Sequence, residues 1–588
     1  MKMMVVVLSE ILKEGFKKAG YDERYGTVTL SNRPDLCQYQ CNGALAAARE
    51  YKKAPFQIAN DVVNAIDDIN CFEEIIVVNP GFINIVLKDD FIINYANEMY
   101  HDDHLGCSQA NEPKTIIVDY GGANVAKPLH VGHLRAAIIG ESIKRIKRFK
   151  GHRVIGDVHL GDWGLQIGMV ITELKSRKPE LPYFDESYSG DYPIEPPFTI
   201  DELSEIYPTG SKNAKENPEV MEAARLATAE LQEGRRGYFA LWRHILEVSV
   251  EDLKKNYGKL NVEFDLWKGE SDCQADIPKV VDHLKRQGLT ETSKGALIVP
   301  VEEESDKKTI PPFIVLKSDG AALYSTTDLT TIYQRVKEYD VDEIIYVVDK
   351  RQGLHFEQVF RCAKKSNIAS EDLKLDFIGF GTMNGKDGKP FKTREGGIMK
   401  LEDLIDILRN SVKAKLINSQ SQYDSETVDD ISIKVGLAAL KYGDLSNQST
   451  KDYIFDIDRF ANFQGKTGPY IQYTIVRMKS ILNKVEPEFW KKSGKILSPR
   501  SITERDILLK LIEFNSMIES SYSDNAPSKI CEYIFEISNL FNRFYHETII
   551  LKEENAEQKA SWLNLLNMNI KVLEKCLYLL GIDSLDKM

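Results

Sequence analysis

Two histidines three residues apart are the first sign of chemistry. The stretch Asn124-Val-Ala-Lys-Pro-Leu-His-Val-Gly-His133 follows the apolar run Thr115 to Val118 and leads into a helical pattern from about His133 to Phe149. A strand-to-helix junction at the carboxyl edge of an α/β sheet is where phosphates bind, because the helix start offers unpaired N–H groups and the positive end of its dipole. There His130 and His133 could donate hydrogen bonds to nucleotide phosphates as a pentavalent transition state forms. Lys127 would add positive charge, and Gly132, lacking a Cβ, would let a flat ring approach the backbone. Either histidine alone would read as a packed or solvated side chain. Their combination with Asn124 and Lys127 at such a junction points to chemistry.

Three further clusters carry reactive types. In Asp319 to Asp328, Tyr324 ends a strand-like run, and Asp328 falls in the first turn of a helix capped by Ser325 or a following threonine. Asp328 either complements the helix dipole, worth about 0.3–1 kcal/mol, or is aimed at a cation. Asp119, at the end of the strand before Asn124, could add a second negative charge. Asp349 to Gln358 places Gln352 and His355 beyond the apolar strand Glu343 to Val348, again at a carboxyl end. Gly388-Lys-Pro-Phe-Lys-Thr-Arg394 lies after a strand and before a helix near Lys400, with Lys389 and Lys392 as loop cations. Two glycine-rich stretches are decoys. Gly465-Lys466-Thr467 has Phe460 where a P-loop needs its first glycine, and Gly379 to Gly385 has the wrong spacing for a dinucleotide fingerprint.

These clusters need a scaffold, and the hydrophobic pattern supplies one. Strand, helix and the strand-like run Arg153 to Val158 make a βαβ unit and imply a parallel sheet. Seven of the 21 prolines fall between Pro179 and Pro218, marking an insertion at about 176–300. The α/β character resumes with Phe313 to Leu316, Glu343 to Val348 and Asp376 to Phe380. The expected architecture is multidomain α/β plus all-α. Residues 1–110 form an N-terminal α+β domain with a helical opening at Ser9 to Phe16 and strand-like runs at Ile75 to Val78 and Gly81 to Leu87. Residues 111–450 form a Rossmann-like parallel-sheet domain with a helical insertion. Residues 451–588 form a helical bundle in which Ile530, Ile534, Ile537, Phe541 and Phe544 recur at spacings of three and four.

Composition bounds the partners. A net charge of −13 over 588 residues argues against non-specific coating of nucleic acid, while leaving room for a shaped RNA with locally basic contacts. Glu141 to Arg153, with six Lys/Arg and one Glu, reads as a solvated helix face more readily than as an RNA footprint. The eight cysteines contain no CxxC pair, so buried or free thiols are expected and no structural zinc. Met3 to Leu8 is too short for a membrane span and lacks a cleavage pattern, so a cytoplasmic location with no membrane partner and no DNA is expected.

The stretch Asn124 to Arg135 resembles the HIGH signature of class I aminoacyl-tRNA synthetases, and more narrowly the arginyl-tRNA synthetase version. Gly161-Asp-Trp-Gly-Leu-Gln166 follows as in that family, and the likeness runs from about Asn79 to Met588. The resemblance implies ATP-dependent activation of L-arginine and transfer to the terminal adenosine of tRNA(Arg). It implies Mg²⁺ carried with ATP, no other metal, and a monomer. It assigns His130, Gly132, His133, Lys127 and Lys392 to catalysis, and Asn124, Asp119, Tyr324, Asp328 and Gln352 to arginine. Tyr324 and Asp328 would hold the guanidinium, and Asn124 with Gln352 the amino-acid end. ATP would meet His130, Gly132, His133, His355, Lys389 and Lys392. The Gly388 to Arg394 loop stands in the place of KMSKS but lacks its second lysine. Asn79, Phe82 and Asn84 resemble a D-loop contact, with Asn84 replacing a glutamine seen in some relatives. Tyr470, Gln472, Tyr473 and Arg477 resemble an anticodon contact, suited to unpaired bases. Three alternatives stay open: a class I synthetase for another amino acid, a small nucleotidyltransferase sharing HxGH, or an inactive tRNA-binding relative.

Overall fold

Four parallel strands position the signature turn. In order across the sheet they are Lys374–Phe380, Glu343–Asp349, Thr115–Tyr120 and Arg153–Asp157. The computed structural model describes residues 1–67, 70–389, 391, 399–418 (for Asn418 the backbone alone) and 423–588. Thr115–Tyr120 and Glu343–Asp349 are rich in Ile and Val and buried on both faces, as interior strands of a parallel sheet must be. Parallel bridges from Asp157 to Leu266 and from Leu160 to Gly269 extend the edge beyond Arg153–Asp157. These strands belong to a unit spanning 111–462 together with 580–582.

The helix Val131–Phe149 returns the chain between the first two strands, and Tyr324–Tyr339 and Gly353–Lys365 pack in the same unit. Four helices, Leu165–Arg177, Ile200–Glu216, Pro218–Gln232 and Arg236–Lys259, interrupt the sheet. Their starts are set locally. Thr199 and Glu202 form a reciprocal capping box, and Asn217 caps the helix opened by Pro218. Phe313–Leu316 departs from expectation. It pairs antiparallel with Ala296–Val299 in a separate three-stranded sheet. Only Phe313 and Val315 of its four residues are buried, the alternation of a strand covered on one face.

The charged stretch Glu141 to Arg153 is neither a solvated face nor an open basic surface. Lys144 and Lys147 are buried, the first 2.8 Å from Glu141 and the second 2.9 Å from Glu343. Arg145 lies 2.7 Å from Glu141 and Arg148 2.7 Å from Asp265. A further buried pairing joins two strands of the sheet to a helix. Arg335, on the helix Tyr324–Tyr339, is 2.6 Å from Asp119 and 2.7 Å from Asp157, and all three are buried.

A second unit contains 1–110, 463–579 and 583–588, so both ends of the chain contribute to it. The N-terminal part is an antiparallel sheet in the order Val28–Leu30, Tyr39–Cys41, Phe82–Leu87, Phe72–Val78, with helices that include Met4–Lys18 and Asp89–His101. The C-terminal part is helical, and the apolar stripe Ile530, Ile534, Ile537, Phe541 and Phe544 is buried as the spacing predicts. Arg505 bonds Asp89 at 2.6 Å, and the Asn515 amide donates to the Tyr95 hydroxyl at 2.7 Å. Among the described residues no helix is long and apolar enough to cross a membrane.

The Arg335 pairing yields a stability prediction. Arg335→Met would leave two carboxylates facing each other in the interior, a loss of about 3–5 kcal/mol at pH 7. Burial already raises the Asp157 carboxyl above the ordinary value. Acid should therefore protonate Asp157 and narrow the deficit. Urea unfolding of parent and variant at pH 7.5 and 5.5 checks this, and a deficit that is absent at pH 7.5, or that grows in acid, contradicts it.

Candidate active site

The signature turn is built by its own histidines. His130 is the N-cap of Val131–Phe149, and its Nδ1 accepts the Gly132 N–H at 3.0 Å. His133, at the third helical position, accepts the His130 N–H on its Nδ1 at 3.2 Å. This is a capping box made with imidazoles, satisfying two backbone donors reciprocally. Because both Nδ1 atoms accept, both rings carry their proton on Nε2, which leaves two N–H donors for a ligand. The rings lie 4.0 Å apart. Burial, then Lys127, lowers His130 to about 4, and burial, then His130 and Lys127, lowers His133 to about 3. Both are therefore neutral near pH 7. Gly132 is required first by this cap, since a Cβ there would sit 2.7 Å from the His130 ring.

The loop before the cap is held from outside. Ala126 has φ +62°, a left-handed conformation costly for a residue with a Cβ, and its N–H donates to Ser249 Oγ at 2.9 Å. Val125 N–H donates to the Gly161 carbonyl, and Gly161 N–H to the Ala123 carbonyl, both at 3.1 Å. Lys127 is half-buried, forms no ion pair among the described residues, and its ammonium is lowered from the ordinary value by burial. The segment after the signature loop also ends on this turn, with Val131 N–H donating to the Met399 carbonyl at 3.2 Å and Leu401 N–H to that of Leu129 at 3.0 Å.

Beside the turn lies a group of carboxylates. Gly161 leaves room for the exposed Asn124 side chain, whose Oδ1 would lie 2.1 Å from a Cβ there. Asp162 accepts from the Ser271 N–H at 3.0 Å and hydroxyl at 2.6 Å, and burial raises its carboxyl. Glu270 is pushed up to about 8 by burial, then by Asp162 and Asp328. Asp328 is 2.6 Å from His355 Nε2. Tyr324, exposed, lies within electrostatic reach of Glu270. Such a crowd of poorly solvated negative charge is suited to a cation with several donors.

Several expectations need correction. Tyr324 begins its helix rather than ending a strand, Leu323 is the N-cap, and Ser325 donates to the Ile314 carbonyl instead of capping. Asp328 is the fifth helical residue, so it lies past the first turn. Asp119 is occupied by Arg335 and offers no open counter-charge. His355 is bonded to Asp328, which ties it to the carboxylate group. Gln352 is exposed where Glu343–Asp349 ends, and Lys389 is exposed in its loop. Lys392 and the rest of 392–398 lie outside the described residues. Glu270 and Asp162 escaped the sequence reading. Their signal was the pair Gly161 and Gly269, where a Cβ at the second would sit 2.6 Å from Asp162 Oδ1.

In the other unit Asn79 is exposed and Phe82 half-buried. Asn84 is largely covered, its Oδ1 accepting from Gln40 at 2.8 Å. Cross-strand register lines up Thr29, Gln40, Asn84 and Ile76 in one row, with Phe82 on the same face. On the helix Gly468–Leu482, Gln472 is fully buried and donates to the Asp583 carbonyl at 2.8 Å, so it cannot touch a ligand in this arrangement. Tyr470 and Arg477 share Asn542, at 2.8 and 2.6 Å, and the guanidinium lies 4.7 Å from the Tyr473 ring and 5.0 Å from that of Tyr545. Asn542 and Tyr545 join this ledge from the helix Pro527–Glu547, a neighbour that helical spacing alone does not identify.

Comparison with known proteins is consistent across the chain. Residues 96–457 match the family described as tRNA synthetases class I (R), catalytic domain; residues 471–588 match the DALR anticodon binding domain, and residues 7–87 the arginyl tRNA synthetase N terminal domain. The arginine–tRNA ligase of Alkaliphilus oremlandii is 63% identical over 588 residues, all of both chains. That of Agathobacter rectalis is 54% identical, again over all of both. The crystal structure of the arginyl-tRNA synthetase from Plasmodium falciparum superposes with a TM-score of 0.84 at 26% identity, covering both chains completely. The chain belongs to the arginyl-tRNA synthetase family of class I tRNA synthetases.

Proposed function

We propose that the protein is an arginine–tRNA ligase that joins L-arginine to the terminal adenosine of tRNA(Arg) at the expense of ATP. The observation that carries this is the juxtaposition of a phosphate-binding turn, with Lys127, His130 and His133, and an anionic group of Asp162, Glu270 and Asp328, the two joined where Asn124 of the turn's loop meets Gly161 beside Asp162. Identity of 63% to a full-length arginine–tRNA ligase supports it.

In the first step a carboxylate oxygen of arginine attacks the α-phosphorus of ATP. The bond from that phosphorus to the bridging oxygen breaks, and pyrophosphate leaves with the bonding electrons. The nucleophile is already ionised, so no base is needed and catalysis is positioning plus charge stabilisation. The neutral Nε2–H groups of His130 and His133 would donate to phosphate oxygens, and Lys127 would balance the charge that develops on the leaving group. Magnesium would arrive with the nucleotide, as the charge on its phosphates requires. In the second step the 2′-hydroxyl of the terminal adenosine attacks the adenylate carbonyl, the bond from that carbon to the phosphate oxygen breaks, AMP leaves with the bonding electrons, and the hydroxyl proton passes to the departing phosphate and on to solvent. Asn124 and Gln352 would hold the amino-acid end. Tyr324, Asp328, Glu270 and Asp162 would surround the guanidinium, with His355 orienting Asp328. A guanidinium never deprotonates in a protein, so it discriminates against uncharged amino acids without an editing site. The sheet face with the half-buried Phe82 and Gln40, and the ledge with Tyr470, Tyr473, Arg477 and Asn542, would receive unpaired bases of the tRNA, with the buried Asn84 holding Gln40 in place. The protein would act as a monomer in the cytoplasm.

Arginine binding should be linked to protons. With its carboxyl raised to about 8, Glu270 is mostly neutral at pH 7 in the empty site. A bound guanidinium favours the ionised form, so binding releases a proton below pH 8. Arginine affinity should rise between pH 6.5 and 8, by up to about tenfold per pH unit, and level off above. Glu270→Gln should flatten this slope. Asp328→Ala should weaken arginine by two or more orders of magnitude, as expected from a loss of about 3–5 kcal/mol, and ATP far less. Titration calorimetry across the pH range decides it; an identical slope in Glu270→Gln removes that residue from the pocket.

The signature loop lacks the usual second lysine, and a cation on an anchored turn is better preorganised than one in a loop. Lys127→Ala should slow adenylate formation by about 100-fold or more, the scale for losing one oriented donor, with little change in arginine or ATP binding. Lys392→Ala should do less. Single-turnover rates with tRNA present test the order, and the reverse ranking would move the role to Lys392.

The helical ledge gives a separate test. Tyr473→Ala and Arg477→Ala should each weaken tRNA binding by about tenfold, within the 1–3 kcal/mol of a base stacked on an aromatic ring, and leave arginine affinity unchanged. Gln472→Ala should instead lower thermal stability. Filter binding and melting curves for the three variants distinguish these, and normal tRNA affinity in both surface variants would discard the ledge.

A further inference from the structure

The helix that carries the signature histidines is fastened on its far side by Arg135. His133 and Arg135 are two residues apart, so they point to different sides of the helix. Arg135 is 2% exposed, and its Nε lies 3.0 Å from Asp444 in the helix Ser425–Leu445. Its Nη1 donates to two carbonyls from separate stretches of chain, Gly381 at 2.8 Å and Lys451 at 3.0 Å. The guanidinium lies 5.1 Å from the Tyr453 ring, and the Tyr453 hydroxyl donates to Asp444 at 2.7 Å.

The two carbonyls mark the ends of a small construction. Gly381 follows the strand Lys374–Phe380, and its successors Met383–Asn384 pair in parallel with Tyr453–Ile454. Gly381 N–H donates to the Ser449 carbonyl at 2.9 Å. Asp452 accepts from the Thr382 N–H at 2.7 Å and from Lys350 at 2.8 Å, two residues before Gln352. One buried side chain thus joins the signature helix to the strand end that leads into the signature loop and, through Asp452, to the stretch that carries Gln352. An apolar side chain of similar volume would fill the space but would leave the buried Asp444 carboxylate without its cation. It could not fix the helix in rotation and height against two carbonyls at once.

We propose that Arg135 is a positioning residue for adenylate formation: through its bonds to Gly381, Lys451 and Asp444 it sets where the Nε2–H donors of His130 and His133 stand relative to the groups on the neighbouring strand ends. This rests on the reading of the histidine turn as the ATP site. It acts on the transition state, so substrate binding is largely indifferent to it.

The test is a set of variants measured at a temperature well below their melting points, with the active enzyme counted by active-site titration. Arg135→Lys keeps the charge but cannot reach both carbonyls, Arg135→Met keeps the packing, and Tyr453→Phe removes only the hydroxyl bond to Asp444. The Arg135 variants should lower kcat for pyrophosphate exchange by about 10- to 100-fold, the scale of an ångström-sized misplacement, with KM for arginine and ATP within about threefold. Tyr453→Phe, the variant least able to disturb folding, should show a smaller loss of the same kind. Each should add clearly less than its full factor to His133→Ala, because the positioning effect shrinks when one of the two groups positioned is gone. A normal kcat per active site with only a lowered melting temperature would overturn the proposal, as would losses that multiply fully with that of His133→Ala. A near-normal His133→Ala would instead discard the reading of the turn.

Discussion

The reciprocal cap between His130 and His133 is the interaction on which the site depends. The first turn of any helix carries backbone donors without partners, and a phosphate-binding helix ordinarily leaves them for its ligand. Here two of those donors are taken by the imidazoles themselves. The consequence is a fixed tautomer at both rings and two side-chain N–H groups facing outward. Neutral rings suit this better than charged ones. A neutral donor needs no counter-ion when the site is empty, and on the turn itself Lys127 supplies positive charge. The φ of Ala126, its bond to Ser249 and the antiparallel bridge between His130 and Lys400 all serve to keep the turn in place.

A second constraint follows from placing opposite charge requirements side by side. Phosphates call for donors and cations, a guanidinium for carboxylates, and the reaction needs both substrates in contact. On the reading proposed above, the two demands meet where Asn124 packs against Gly161. The glycine permits the close approach of two loops that would otherwise be forced apart. The empty carboxylate pocket carries a penalty, visible in the raised values of Asp162 and Glu270. A site arranged in this way is favourable only when its cation is present, which is the requirement for selecting a charged substrate over neutral ones of similar length.

The sequence was most legible where function and local geometry coincide. The strands Thr115–Tyr120 and Glu343–Asp349, the helix after His133 and the stripe from Ile530 to Phe544 all announce themselves by period and by residue type. The Asp328 region was read less well. The helix begins at Tyr324 without a side-chain cap, so no Ser or Thr signal marks its start, and Ser325 and Thr326 bond strand carbonyls instead. Gln472 has the composition of a base-reading residue. What disqualifies it is a carbonyl 111 residues away. Asp119 likewise looks like a free carboxylate until Arg335, 216 residues later, is brought to it.

These failures share one physical cause. Local propensity reports which way a backbone prefers to run, but the side of a helix that a lysine or arginine faces is decided by partners distant in the chain. The run from Lys144 to Arg153 has the charge pattern of a surface, yet Glu141, Glu343 and Asp265 draw four of its basic groups into ion pairs, two of the four buried. A buried charge without a partner costs several kcal/mol, so each such residue restricts the folds open to the chain to those that supply the matching carboxylate. Apolar contacts tolerate small slips of one element over another, because dispersion depends weakly on direction. A guanidinium or ammonium bonded to named oxygens does not. The buried charges around the helix Val131–Phe149 therefore do for the scaffold what the imidazole cap does for the turn: they convert approximate packing into a fixed orientation, which is the condition for donors to act on charge that exists only in a transition state.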